Sequence, residues 1–309
     1  MRIKELDYLK GVMIIFVITF HLVYFEHLYP YAKQVVYTFH MPVFLIISGY
    51  LMEINKDWNS FLQTISKLAI PYIVMESGYV VMASLLPINE HIDHLTIEIF
   101  ISKLLLHPLG PYWYLHMLII CGVNYYVIFR YTNVKELTRF ILMGLSLYLY
   151  SHVLGILSFT TSIFFLIGIV LRQCNMDFMR FFQSSSLSLL AFLLLIFHEQ
   201  YLSLSTLGGI LIIYLVISCC LFIFKCSHRL IGNSIIFFGK NSLILYAFSP
   251  IFTILCKQLV PCLAFDKTGV LYLIVSLIVC ICGSLCIGYI MDVLKLSPLF
   301  FRKQYIVSK

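Results

Sequence analysis

Charge is what this sequence has least of: Asp, Glu, Lys and Arg together make up 11% of its 309 residues, where a soluble domain carries about 25%. In their place stand aliphatic, aromatic and sulfur-bearing residues at 61%, with a mean hydropathy of +0.97; an ordinary globular chain is about 45–50% apolar. A soluble fold, a disordered chain and a nucleic-acid binder are excluded together, because each needs more polar surface than this composition supplies. The sequence reads as an integral membrane protein. Acidic residues are the scarcer of the two signs, 14 against 21, for a formal net charge of +7. In a membrane protein such an excess sets orientation.

Other absences narrow the reading. There is no low-complexity tract, no visible internal repeat and no soluble tail, so 1–309 is read as one transmembrane domain. No small-residue cleavage site follows the first apolar stretch, which begins with Asp7 and Lys10, so it is expected to stay attached. Most of the ten cysteines, among them Cys121, Cys219, Cys220, Cys280, Cys282 and Cys286, lie inside apolar runs, where Cys packs as a small hydrophobe. They form no metal-ligand grouping, and no metal is expected.

What is there is a succession of apolar runs. A crossing needs about 20 mostly apolar residues, and the runs predict an all-α, polytopic bundle of about ten transmembrane helices: Tyr8–Tyr24, Val35–Met52, Leu68–Leu86, Tyr112–Phe129, Phe140–Leu154, Leu157–Leu171, Leu187–Phe197, Leu207–Phe224, Ser242–Val260 and Val270–Met291. With both termini cytoplasmic, seventeen Lys and Arg fall inside, including Arg2, Lys10, Lys67, Arg130, Arg172, Lys240, Arg302, Lys303 and Lys309. Only Lys33, Lys103, Lys257 and Lys267 fall outside. If 140–171 crossed once instead of twice, the tally would become ten against eleven and the positive-inside bias would vanish. The hairpin is therefore preferred. In the long outer connection from Pro87 to Pro111, Ile97–Leu106 reads as a short amphipathic helix at the interface.

Ionisable residues at membrane depth are costly and face the bundle interior, so each is a candidate. Lys10 and His21 are eleven residues apart, which on a continuous helix places them on one face about 16 Å apart along the axis. Lys10 reads as a snorkelling anchor or an anion site near the cytoplasmic edge, and His21 as a hydrogen-bonded interior histidine or a base. His40 stands in Phe39-His40-Met41-Pro42, with the proline near the first helical turn, and Ser48-Gly49 is a small pair that permits close helix packing. Glu76 falls near mid-membrane, where a carboxylate pairs with a cation, stays protonated or serves a substrate pocket. With His116 and His152, the histidines His21 and His40 share one level of the membrane on this topology. Histidine suits acid–base work at neutral pH.

These residues resemble a known family. The opening Leu6-Asp7-Tyr8-Leu9-Lys10-Gly11, with ten residues between Lys10 and His21, is similar to the Leu-Asp-x-Leu-Arg-Gly and histidine pattern of the membrane-bound acyltransferase 3 family. Phe39-His40-Met41-Pro42 through Ser48-Gly49-Tyr50-Leu51, Lys67 to Tyr72, Tyr112-Trp113-Tyr114-Leu115, Phe164 to Gly168, and Gly239 to Tyr246 agree in order. The resemblance implies a ten-span membrane O-acyltransferase, moving acetyl or another short acyl group from acyl-coenzyme A to a hydroxyl of a cell-surface sugar, polysaccharide or lipid-linked precursor. That implies a bacterial cell membrane, exopolysaccharide biosynthesis, acetyl-CoA as donor and a carbohydrate acceptor. It places the catalytic role on His21 and phosphate contacts on Lys10 and Lys67; Asp7, His40, Ser48, Glu76, Trp113 and His116 are the candidates for a substrate pocket. Two departures stand out: Lys10 replaces the family arginine and cannot reproduce its bidentate fork, and Ser249 stands in Tyr246-Ala247-Phe248-Ser249-Pro250 where the family often has histidine. The alternative function is a glycan exporter, although transporters often carry internal repeats.

Overall fold

The computed structural model describes residues 3–85 and 90–301. Arg2, Arg302, Lys303 and Lys309 of the charge tally, the Leu86 end of the third predicted span and Pro87 lie outside the described residues. Those that are described form helices and connecting loops, with no strand among them. In chain order the helices are α1 Lys4–Thr19, α2 Val23–Leu28, α3 Pro30–Leu51, α4 Trp58–Leu85, α5 Ile97–Leu105, α6 Trp113–Tyr131, α7 Glu136–His152 and α8 Phe159–Gln173. They continue with the one-turn α9 Phe178–Phe181, α10 Leu187–Ile196, α11 Leu207–Cys226, α12 Arg229–Lys240, α13 Ser242–Cys256, the short α14 Val260–Leu263, α15 Val270–Val293 and α16 Ser297–Phe300.

Six stretches among the described residues are long and apolar enough to cross a membrane: Pro30–Leu51, Trp58–Leu85, Ile97–Tyr131, Leu207–Cys226, Ser242–Leu263 and Val270–Val293. The Ile97–Tyr131 stretch is not one helix, since a 3-10 turn at Gly110–Tyr112 separates α5 from α6. Thr96 caps α5, its hydroxyl accepting from the Ile99 N–H, in line with the short helix predicted there. The other predicted spans are shorter helices: α1 has 16 residues, α7 17, α8 15 and α10 10. Residues 140–171 do form two helices, and α7 packs along α8.

The bundle is held by close helix pairs, of which α3 with α8 and α1 with α12 are the most extensive. Both depend on facing glycines. A Cβ on Gly49 would overlap the Phe165 carbonyl and one on Gly168 the Ile46 carbonyl; Gly11 and Gly239 likewise lie against the carbonyls of Ile235 and Asp7. Gly49 of the small pair Ser48-Gly49 thus permits the close packing expected of it. Helix α12 was not anticipated, because Arg229, Asn233 and Lys240 break its apolar run; one amphipathic face nonetheless packs on α1.

Three helix boundaries correct the sequence reading. The first span is interrupted: α1 stops at Thr19, and the His21 and Leu22 N–H groups bond three residues back, to Ile18 and Thr19. His21 therefore sits in a turn and not on a continuous helix with Lys10. Helix α3 starts at Pro30, which occupies the tolerant first turn, so Pro42 and His40 are mid-helix. Helix α4 starts at Trp58, well before the predicted span, so Lys67 lies inside the helix, next to the first residue of the apolar stretch that begins at Leu68.

Candidate active site

The break after α1 shapes the central residue. In an unbroken helix the His21 N–H would bond to the Val17 carbonyl; here it bonds to Ile18, and the His21 Nδ1 takes its place 2.7 Å from the Val17 oxygen. A carbonyl only accepts, so Nδ1 carries the proton. In the neutral ring Nε2 then holds a free lone pair. Tyr37 fixes the other side of this turn: its hydroxyl donates to the Phe20 carbonyl at 3.1 Å, and its ring centre is 6.4 Å from that of His21 and 5.0 Å from that of His40. His40 is 4% exposed, and its Nδ1 is 2.7 Å from the Val36 carbonyl, one turn back on α3.

His21 borders two spaces. One is a polar cavity of about 380 Å³, lined by Glu26, Lys33, Tyr37, Tyr79, Glu90 and Lys257 among others. Lys33 pairs with Glu26 at 3.0 Å and stands 5.3 Å from the centre of the Tyr37 ring. Adjoining this cavity is a crevice of about 10 Å³ between Val17, Pro111, Tyr246, Ser249 and Thr253, which shares His21, Pro111, Pro250 and Thr253 with the polar cavity. Beyond the crevice lies a cavity of about 150 Å³ lined by Lys10, Phe44, Ser48, Tyr114, Ser242 and Tyr246. Tyr246 is the shared wall. His21 is thus common to the polar cavity and the crevice, and Tyr246 to the crevice and the Lys10 cavity, which makes the crevice the constriction among them.

The constriction is clasped by its own side chains. The Tyr246 hydroxyl donates to the Pro111 carbonyl, and the Tyr112 hydroxyl donates to the Ala247 carbonyl at 2.9 Å. Tyr112 and Tyr114 pack edge-on against the Tyr246 ring, and the Tyr114 hydroxyl lies 3.0 Å from Ser48 Oγ. The loop carrying Pro111 is pinned by two carboxylates. Glu76 Oε1 accepts the Leu109 N–H at 2.6 Å and Glu90 Oε2 the Gly110 N–H at 2.7 Å, and Gly110 takes a left-handed backbone (φ 55°) that favours glycine.

Of the predicted residues, Lys10 and Ser48 share one cavity and His21 and His40 flank Tyr37. Asp7 is buried and holds the Lys10 ammonium at 2.8 Å. Glu76 is fully buried and takes a backbone N–H instead of a cation; its Oε2 has no partner among the described residues. It supports the Pro111 loop without lining these spaces. Lys67 does not line the Lys10 cavity, though its neighbour Leu68 does. The histidines do not converge: His116 binds the Leu105 carbonyl (2.8 Å) and, with Trp113, lines a separate cleft of about 350 Å³, while His152 stacks on Tyr148 at 4.2 Å. Trp113 and Tyr114 are adjacent on α6, so about 100° of rotation sends one to that cleft and the other to the Lys10 cavity. Tyr37, Glu26, Lys33 and Glu90 escaped the sequence reading. Tyr37 had one usable signal, its position three residues before His40 on the same helical face.

The fold and its apolar helices define a multi-pass membrane protein. Residues 3–289 match the family model described as an acyltransferase domain, and the chain belongs to that family, the acyltransferase 3 family of membrane acyltransferases. No curated protein and no solved structure matches it.

Proposed function

We propose that this acyltransferase moves an acetyl or other short acyl group from acyl-coenzyme A to a hydroxyl of a cell-surface sugar, polysaccharide or lipid-linked precursor in a bacterial cell membrane, with His21 as general base. The observation that carries this reading is the position of His21, its Nε2 free to accept a proton, in the wall of a polar cavity with Glu26, Lys33 and Lys257 and of a crevice whose Tyr246 also lines the Lys10 cavity. In the proposed topology the chain crosses ten times, both termini are cytoplasmic, and α1, α7, α8 and α10 cross where the bilayer thins to match them.

Lys10, held by Asp7, meets the anionic end of the donor at the cytoplasmic mouth. The cavity of about 150 Å³ behind it is small beside a typical ligand site of about 300–1,000 Å³, and it suits the narrow thioester arm rather than the nucleotide. The arm runs past Ser48 and Tyr114 to the crevice, which opens when Tyr246 leaves the Pro111 carbonyl. In the outer cavity His21 Nε2 takes the proton of the acceptor hydroxyl as its oxygen attacks the thioester carbonyl carbon. The carbon–sulfur bond breaks with its electrons on sulfur, and the imidazolium returns the proton to the thiolate. The products are the ester and free coenzyme A thiol.

The test is mass spectrometry of the host's surface glycans, with the wild-type protein, without it, and with His21→Ala at equal membrane level. The expected result is loss of one acetyl mass per modified residue in the last two. Undiminished acetylation with His21→Ala overturns the assignment of the base. If the purified protein fails to use acetyl-CoA and its loss strands polymer inside the cell, export replaces transfer.

A further inference from the structure

Glycine inside a helix is unfavourable, and in membrane bundles it is commonly found where two backbones come close. Gly11, Gly49, Gly168 and Gly239 fit that pattern, each against a neighbouring carbonyl. Gly78, in the last third of α4, does not: a Cβ built on it meets nothing within 4 Å. The space belongs to a trough of about 420 Å³ between α4 and α13, walled by Val74, Met75, Met82, Ile251 and Leu255 and without a charged side chain in its lining. Gly78, Val74, Ile251 and Leu255 are exposed at the bundle surface, so the trough opens sideways, where the apolar part of a bilayer would lie.

This trough runs into the candidate site. Tyr79, Pro250 and Ile254 line both it and the polar cavity beside His21. Near the junction, Lys257 lines the polar cavity two residues beyond Leu255. It makes no ion pair with the described residues, whereas Lys33 is matched by Glu26. Apolar trough, cation and polar chamber follow one another in the order of the parts of an amphiphile: chain, anionic linker and sugar.

We propose that the acceptor hydroxyl arrives on a single-chain glycolipid, with its apolar chain in the α4–α13 trough, its phosphate linker beside Lys257 and its sugar in the His21 cavity. The placement of the sugar rests on the acyl-transfer reading; occupancy of the trough is a binding property and is measured as one.

The experiment uses the full-length protein in liposomes of phosphatidylethanolamine and phosphatidylglycerol. One probe is polyprenyl-phosphate-linked N-acetylglucosamine with a diazirine on its chain; the other is phosphatidylglycerol with the same diazirine on an acyl chain. Photolysis and peptide mass spectrometry are expected to place the first probe on Met75, Met82 or Leu255 with about tenfold preference over the second, and unlabelled glycolipid is expected to compete. Gly78→Trp fills the trough and is expected to cut this labelling about tenfold, while Val81→Trp, exposed on α4 outside the trough, leaves it intact. Lys257→Gln, which leaves the trough itself unaltered, is expected to weaken competition by the phosphate-linked sugar. Equal labelling by the two probes, or labelling indifferent to both Gly78→Trp and Lys257→Gln, overturns the proposal and makes the trough an ordinary lipid contact. Labelling does not need catalysis and is expected to persist in His21→Ala, so wild-type protein that is labelled but transfers no acetyl group from acetyl-CoA rejects the acyl-transfer reading alone.

Discussion

His21 replaces with its side chain a bond that its main chain no longer makes, and that substitution sets its chemistry: Nδ1–H is committed to Val17 and Nε2 remains available. Tyr37 helps to hold the turn, so Tyr37→Phe, which removes the bond to the Phe20 carbonyl, is expected to cost about 1 kcal/mol of stability and to lower kcat more than the KM for acyl-CoA. Thermal unfolding in detergent and steady-state kinetics check the two parts. At Lys10, a contact to the donor predicts that Lys10→Ala raises the KM for acetyl-CoA about tenfold while Lys10→Arg, which restores the charge and the family residue, stays near wild type. An unchanged KM in Lys10→Ala removes Lys10 from the donor site. Glu76→Ala leaves the buried Leu109 N–H without an acceptor and is expected to destabilise by about 1–3 kcal/mol. Glu76→Gln retains an acceptor oxygen there and is expected to lose less; equal losses in a melting experiment would contradict the role given to that bond.

At the scale of elements, the bundle is set by backbones in contact. Gly49 and Gly168 bring α3 and α8 together, and α3 carries Tyr37, His40 and Ser48 to the site. Gly168→Leu, whose side chain would meet the Ile46 carbonyl, is expected to cost about 1–3 kcal/mol, read as a lower melting temperature, and to shift Ser48 relative to Tyr114. Gly144→Leu is the control, because the nearest atom to its Cβ is a flexible Leu166 methyl at 3.8 Å; a similar loss there would mean that helix volume in general, and not the α3–α8 crossing, is limiting. The reciprocal clasp between 111–112 and 246–247 joins the turn before α6 to α13 differently, side chain to backbone in both directions.

For the whole molecule the charge asymmetry makes a prediction of its own. Alkaline phosphatase inserted in the Glu90–Thr96 segment is expected to be active outside the membrane, and the same reporter in the Thr132–Lys135 turn is expected to be inactive. The reverse pattern would overturn the orientation. A reporter between α7 and α8, near Gly155, is expected to be active as well. Inactivity there would mean that the two short helices do not complete a crossing.

Membrane character, helical class and most of the helix positions were legible from composition and apolar runs, because the bilayer imposes one length scale and one class of backbone on every crossing. Lys10, Ser48, His21 and His40 were legible as rare polar groups in those runs. The break at Phe20–Leu22 was not, since Phe20 and Leu22 are as apolar as the residues around them and the turn is held by bonds from Tyr37 and from the His21 ring itself. Nor could depth in the membrane assign Trp113 and His116 to one cleft and Tyr114 to another, because faces are set by which helices meet. The sequence by itself determined that the chain crosses a membrane as helices and which polar residues it carries there. Only the tertiary structure decided which of them share a cavity, because that depends on glycine-to-carbonyl contacts between helices far apart in the chain.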